Sequence, residues 1–120
     1  MGIFLEALHG FKLKWYLGVD AETRRFMWTL AHTHGTLLSL VHIAFANTAA
    51  KFFTTENGLL AWASVCLICA GLLLPIGFFL GGLFYYSGDP GIGILLVPPG
   101  GVMLLIAVGL IALTVTRKNP

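Results

Sequence analysis

Apolar positions dominate the chain from residue 26 onward, and polar interruptions divide them into three long runs. The first covers residues 26–49, between Arg24-Arg25 and Lys51 with Phe52 and Phe53. The second covers residues 59–86, opening near Trp62 and ending at Tyr85 and Tyr86, as aromatic belts at a membrane surface predict. The third covers residues 92–115 and is stopped by Arg117 and Lys118. A helix crosses a bilayer with about 20 apolar residues, so each run is long enough, and tilting or kinks absorb the excess. Pro75 inside the second run and Pro98-Pro99-Gly100-Gly101 inside the third predict the kinks. Ser87-Gly88-Asp89-Pro90-Gly91 is a turn between those two runs.

Residues 2–17, ahead of these runs, follow a different pattern. At 100° per residue Phe4, Leu8, Phe11 and Trp15 share one narrow stripe, which Lys12 and Lys14 flank. This predicts an amphipathic helix lying in the membrane interface, its lysines reaching toward headgroups. Leu13 and Leu17 lie on the opposite face with Glu6 and His9, which predicts contact with protein there. Asp20 and Glu22 mark the start of the first span as N-cap and first-turn acid. The expected fold is an all-α integral membrane protein of one membrane domain. An N-terminal amphipathic interfacial helix is followed by three transmembrane helices, the second and third kinked at prolines.

Composition sharpens this reading. Apolar residues make up 58% of the 120 and charged residues 10%, and between Asn57 and Thr116 the only charge is Asp89. A soluble domain carries about a quarter charged residues, so lipid is the expected solvent for much of this surface. The net charge of +2 and the lack of a basic run argue against nucleic acid as a partner. Cys66 and Cys69 sit inside an apolar run and imply no disulfide framework. Glu6, His9, Lys12 and Lys14 interrupt any signal-peptide core, so the chain is expected to insert through its own spans. Gly2 follows Met1, but Glu6 stands where a myristoylation signal has Ser or Thr. Lys12, Lys14, Arg24 and Arg25 on one side against Lys51, Arg117 and Lys118 on the other favour a cytoplasmic N-terminus.

The most unusual feature is the first span, which carries His32, His34 and His42. Histidine is expensive at membrane depth and faces protein, a ligand or water there. With Thr29 at 0°, Arg25 lies near about 320°, His32 near about 300°, Thr36 near about 340°, Ser39 near about 280° and Asn47 near about 0°. Trp28, Gly35 and His42 extend this polar, small-residue stripe, while His34 points elsewhere and needs a partner of its own. No two of the three have the i, i+4 spacing of a helix-borne zinc site.

Three readings follow. In the first, the stripe Arg25, Thr29, His32, Thr36, Ser39 and Asn47 is a helix–helix contact, and the chain is a non-catalytic subunit of a larger or homo-oligomeric membrane assembly. In the second, His32 or His42 ligates haem, or His42 joins Cys66 and Cys69 around a copper or zinc ion. In the third, the polar stripe and the proline breaks serve a small oligomeric transporter or channel. Gly77 and Gly81 form a GxxxG that predicts close helix packing in each case. No paired-carboxylate site, activated nucleophile or phosphate loop is present, so no enzyme is expected.

Overall fold

The computed structural model describes residues 2–52, 58–86 and 88–118. Phe53, expected to close the first apolar run, and Ser87, expected in a turn, lie outside the described residues. Five α-helices follow one another: α1 (Gly2–Gly10), α2 (Lys14–Leu17), α3 (Glu22–Phe52), α4 (Gly58–Leu83) and α5 (Val97–Lys118). Short 3-10 turns, Val19–Ala21 and Ile92–Leu96, lead into α3 and α5. The described residues form no strand.

The single helix expected over residues 2–17 is instead two. Lys12 adopts φ 49°, and the amides of Lys12 and Leu13 bond the carbonyls of His9 and Leu8. That pattern is a Schellman motif, which stops a helix with one left-handed residue after its end. Glycine normally fills that position; here the nearby Gly10 lies two residues too early, and a lysine adopts the left-handed geometry. The break also divides the expected apolar stripe. Leu8 is buried with Leu5, Tyr16, Met27 and Trp28, whereas Phe11 and Trp15 remain exposed. Phe4 lies against Trp28 and Gly2 against His32, so α1 packs alongside the first turns of α3.

The expected boundaries shift for local reasons as well. Asp20 lies within the 3-10 turn rather than at the edge of α3. α4 stops at Leu83 instead of continuing to Tyr86, because its last carbonyls find partners outside the helix. The amide of Gly91 donates to Gly81 O at 2.8 Å, and Arg24 Nε donates to Gly82 O at 3.2 Å. Pro75 stays inside α4, which remains helical through it. The last apolar run, expected as a helix kinked at Pro98 and Pro99, has no kink there. It is a 3-10 turn followed by α5, and both prolines occupy the first turn of α5, where a missing N–H costs nothing.

α4 is the central element. α3 and α5 each pack along it. The residues of α4 that meet α3 (Gly71, Pro75, Phe78, Gly82) and those that meet the segment 93–100 (Leu74, Gly77, Leu80, Gly81) lie about 120° apart around the axis. The result is a bent row of helices measuring 58 × 26 × 18 Å. Leu60, Ala63, Leu67, Ala70, Leu74, Gly77 and Gly81 are buried at alternating spacings of three and four, forming a seam like that of a coiled coil. Near its start, Phe45 of α3 and Met103 and Leu104 of α5 close around Cys66, Leu67 and Ala107.

Glycines set the separation of α4 from the chain that returns beside it. A Cβ on Gly77 would stand 2.9 Å from Val97 Cγ2 and 3.2 Å from Val97 N. One on Gly93 would meet Leu80 Cβ, and one on Gly91 would overlap Phe84 O. The GxxxG of α4 is therefore used inside the chain, against residues 94–97.

Two helical segments, Gly58–Leu83 and Ile92–Arg117, are long and apolar enough to cross a membrane. Only 39% and 11% of their most apolar windows are buried in the molecule. A soluble core helix would be mostly buried, whereas Leu72, Ile76, Leu105 and Val108 face outward. α3 has the length, at 31 residues, but its histidines and hydroxyls dilute its hydropathy below the same measure.

Candidate functional site

The geometry of α3 separates what the sequence left as one stripe. Arg24, Trp28, Ala31, Gly35, Leu38, His42 and Phe45 repeat at alternating spacings of four and three and form the edge that meets α4. Trp28, Ala31 and Leu38 are buried. A Cβ on Gly35 would stand 3.6 Å from Pro75 Cγ, and one on Gly71 would stand 3.0 Å from His42 Cε1. His34, on the far flank of that edge, finds its partner in Phe78, with ring centroids 4.8 Å apart. Thr29, Thr36 and Asn47 remain exposed on the side away from α4, and Ser39 is exposed on the flank, beside the pocket that Pro75 of α4 also lines.

Four of the exposed polar groups are first satisfied within their own helix. The hydroxyls of Thr33, Thr36 and Ser39 donate to the carbonyls of Thr29, His32 and Gly35, and Asn47 Nδ2 donates to Ile43 O. These i−4 bonds lower the cost of holding hydroxyls in apolar surroundings. A hydroxyl has one proton, so each still presents oxygen lone pairs outward. Asn47 retains a second N–H and its carbonyl.

The histidines fall into two kinds. His34 and His42 bring Nδ1 to 2.8 Å from the carbonyls of Leu30 and Leu38. A carbonyl only accepts, so Nδ1 carries a proton, and in the neutral ring Nε2 has the lone pair. Both rings are turned toward α4. His32 has no such tether: its Nδ1 lies 3.5 Å from Thr36 Oγ1, and its Cε1–Nε2 edge faces Gly2. It lines an open pocket of 360 Å³ with Gly2, Gly35, Thr36, Ser39 and Pro75.

The sequence-derived ligand residues are not drawn together. His32 looks into the pocket and His42 onto Gly71, while Cys66 is buried with Leu67 and Ala107 and Cys69 is partly exposed. Among the described residues no three His, Cys, Asp or Glu side chains converge to hold a metal ion. Gly77 and Gly81 face residues 94–97, as described above.

Sequence reasoning placed Arg24 at the membrane boundary and saw nothing more. In the fold it is 7% exposed and ties three segments together. Its Nη1 donates to Trp15 O at 2.7 Å and its Nε to Gly82 O at 3.2 Å. The guanidinium lies 3.8 Å from the centroid of Trp15 and 4.9 Å from that of Tyr85, a cation–π cage. A positive charge at the C-terminal end of α4 also meets the negative end of its dipole. Trp28 adds a bond from Nε1 to Phe79 O at 3.0 Å and stacks on both Tyr16 and Phe79. The available signal was Arg24 one helical turn before Trp28, with Trp15 and Tyr85 at the neighbouring helix ends; only the tertiary fold brings these together.

No family model matches the chain, and no curated protein or solved structure is similar to it.

Proposed function

We propose that this chain is a three-span membrane protein and a non-catalytic helical subunit of a larger or homo-oligomeric assembly, joined through the outward side of α3. The observation that carries this reading is the direction of the polar stripe. Its centre, Thr29, Thr36 and Asn47, points away from α4 and is exposed. Polar side chains on a spanning helix gain from a second helix that supplies hydrogen-bond partners. α3 spans the bilayer in this reading, at about 46 Å of helix, with α4 and α5 beside it. α2 lies at the interface and α1 runs from it beside the first turns of α3, so that Ile3, Phe11 and Trp15 enter lipid and Lys12 and Lys14 meet headgroups. The N-terminus is cytoplasmic.

A haem, copper or zinc reading has less support, because His34 and His42 turn into α4 and no second ligand joins His32 among the described residues. A transporter reading rests on Pro75 and the polar stripe, and three helices in a row enclose no pore by themselves.

Oxidative cross-linking in native membranes tests the assembly. Single cysteines replace Thr36 or Asn47 on a background with Cys66→Ala and Cys69→Ala, and Leu72→Cys and Leu105→Cys serve as lipid-facing controls. Thr36→Cys and Asn47→Cys should form dimers or adducts with a partner, and the controls should not. A strictly monomeric protein in mild detergent, with no adduct at either position, sinks the reading.

A further inference from the structure

We propose that the pocket beside His32 binds a membrane-dissolved amphiphile bearing a hydroxyl donor, of the phenol or ring-alcohol class. This rests on the part of the preceding reading that sends α3 through the bilayer. Small residues create the space: Gly2 lets α1 approach the imidazole, and Gly35 lets α4 bring Pro75 to the pocket's inner side. The polar side chains around it offer acceptors. The hydroxyl protons of Thr36 and Ser39 are spent on the carbonyls of His32 and Gly35, at 2.9 and 2.7 Å. A neutral His32 ring keeps one acceptor nitrogen: Nδ1 lies 3.5 Å from Thr36 Oγ1, and in the tautomer that donates to that oxygen Nε2 carries the lone pair.

A pocket of lone pairs in an apolar surround selects a hydrogen-bond donor. A metal ion fits poorly, since the pocket offers one nitrogen and two neutral hydroxyls. Depth narrows the class further. His32 lies six residues beyond Phe26, about 9 Å along the helix, and Ser39 lies about 10 Å deeper still. A phospholipid headgroup stays above that level, whereas a ring carrying one hydroxyl and an alkyl tail is at home there. The volume of 360 Å³ admits a single ring with a short tail.

The full chain, with ¹⁵N-labelled histidine, is placed in phosphatidylcholine nanodiscs and titrated with 4-hexylphenol and with 4-hexylanisole. The two probes share ring and tail and differ in the donated proton. The phenol should shift the His32 imidazole resonance and bind about tenfold more tightly than the ether, the worth of one hydrogen bond in a dry site. His32→Phe should abolish that preference, and His32→Gln, which keeps an acceptor near the Nε2 position, should restore part of it. Equal binding of the two probes in the wild-type chain overturns the proposal without reliance on any variant. So does a preference that survives in His32→Phe. The titration is repeated in phosphatidylglycerol nanodiscs, whose headgroup carries free hydroxyls. Retained phenol binding supports the ring-alcohol class, and its loss assigns the pocket to a headgroup and overturns that choice. A monomeric chain that still prefers the phenol removes the assembly reading and leaves this site standing.

Discussion

Tyr16 shows how much a single side chain depends on its surroundings. It is 1% exposed, stacked on Trp28 and set edge-on to His9. Burial raises its pKa above the ordinary 10.0, and Arg25 offsets part of that rise. A raised pKa means the folded state holds the proton more tightly than the unfolded one. The stability tied to the neutral phenol is therefore full below pH 10 and is lost as pH climbs past it. Phenolate absorbance at 295 nm should show one tyrosine titrating above 10, and Tyr16→Phe should remove that component. Tyr16→Phe should also flatten the alkaline fall in stability, followed by tryptophan emission in detergent. A component unchanged by the substitution would contradict this placement. In the sequence Tyr16 was one aromatic in an amphipathic stretch, and nothing local marked it as the buried one. The break at Lys12 turns α2 and brings Tyr16 onto Trp28.

The end of α4 illustrates an element completed by its neighbours. Of its last four carbonyls, Leu80 accepts from Phe84 N, Gly81 from Gly91 N and Gly82 from Arg24 Nε. Helix ends leave four such groups without internal partners, so these bonds decide where α4 stops. Arg24→Met keeps the bulk but removes the donors and the charge, leaving two carbonyls short of a partner. We expect a loss of about 3 kcal/mol, combining charged hydrogen bonds with the cation–π contacts. Reversible unfolding in mixed micelles measures it, and the emission of Trp15 should shift to the red as its cover is lost. Arg24→Lys should recover only part, because a single ammonium cannot bridge Trp15 O and Gly82 O as a guanidinium fork does. Full recovery by lysine would show that charge alone holds the segment.

At the scale of the molecule, three long helices form a row in which only α4 is flanked on two sides. α5 is the least covered, touching α4 through Gly100, Ala107 and Thr114 at intervals of seven. Its position depends on the close approach at Gly77 and Gly93. Gly77→Val would drive branched carbons into the backbone of Val97, and overpacking of this kind costs about 1–3 kcal/mol. The expected readout is easier proteolysis of the hairpin at residues 84–91, together with a lower Tm in detergent. Gly101→Val, at a position with nothing within 4 Å, should leave both unchanged. Equal effects at the two positions would mean that helix propensity, and not packing, is being read.

The all-helical class, and the apolar runs that became α4 and α5, were determined by composition and hydrophobic pattern alone, because burial in lipid needs only length and hydropathy. So was the turn near residue 88, where Gly88 adopts φ 90°. Pattern also located the polar side chains of α3 and excluded a chelating pair on that helix, since 100° per residue is fixed by helix geometry. It was unable to say which part of the stripe faces α4, because that depends on where a second helix docks. The tertiary structure divided it, turning Trp28, Gly35 and His42 inward and leaving Thr29, Thr36, Ser39 and Asn47 outside. It alone placed His34 on Phe78, consumed the GxxxG within the chain and made Arg24 a buried tie between helix ends. Those outcomes rest on contacts between segments up to sixty residues apart, and such contacts leave no local signature in a single sequence.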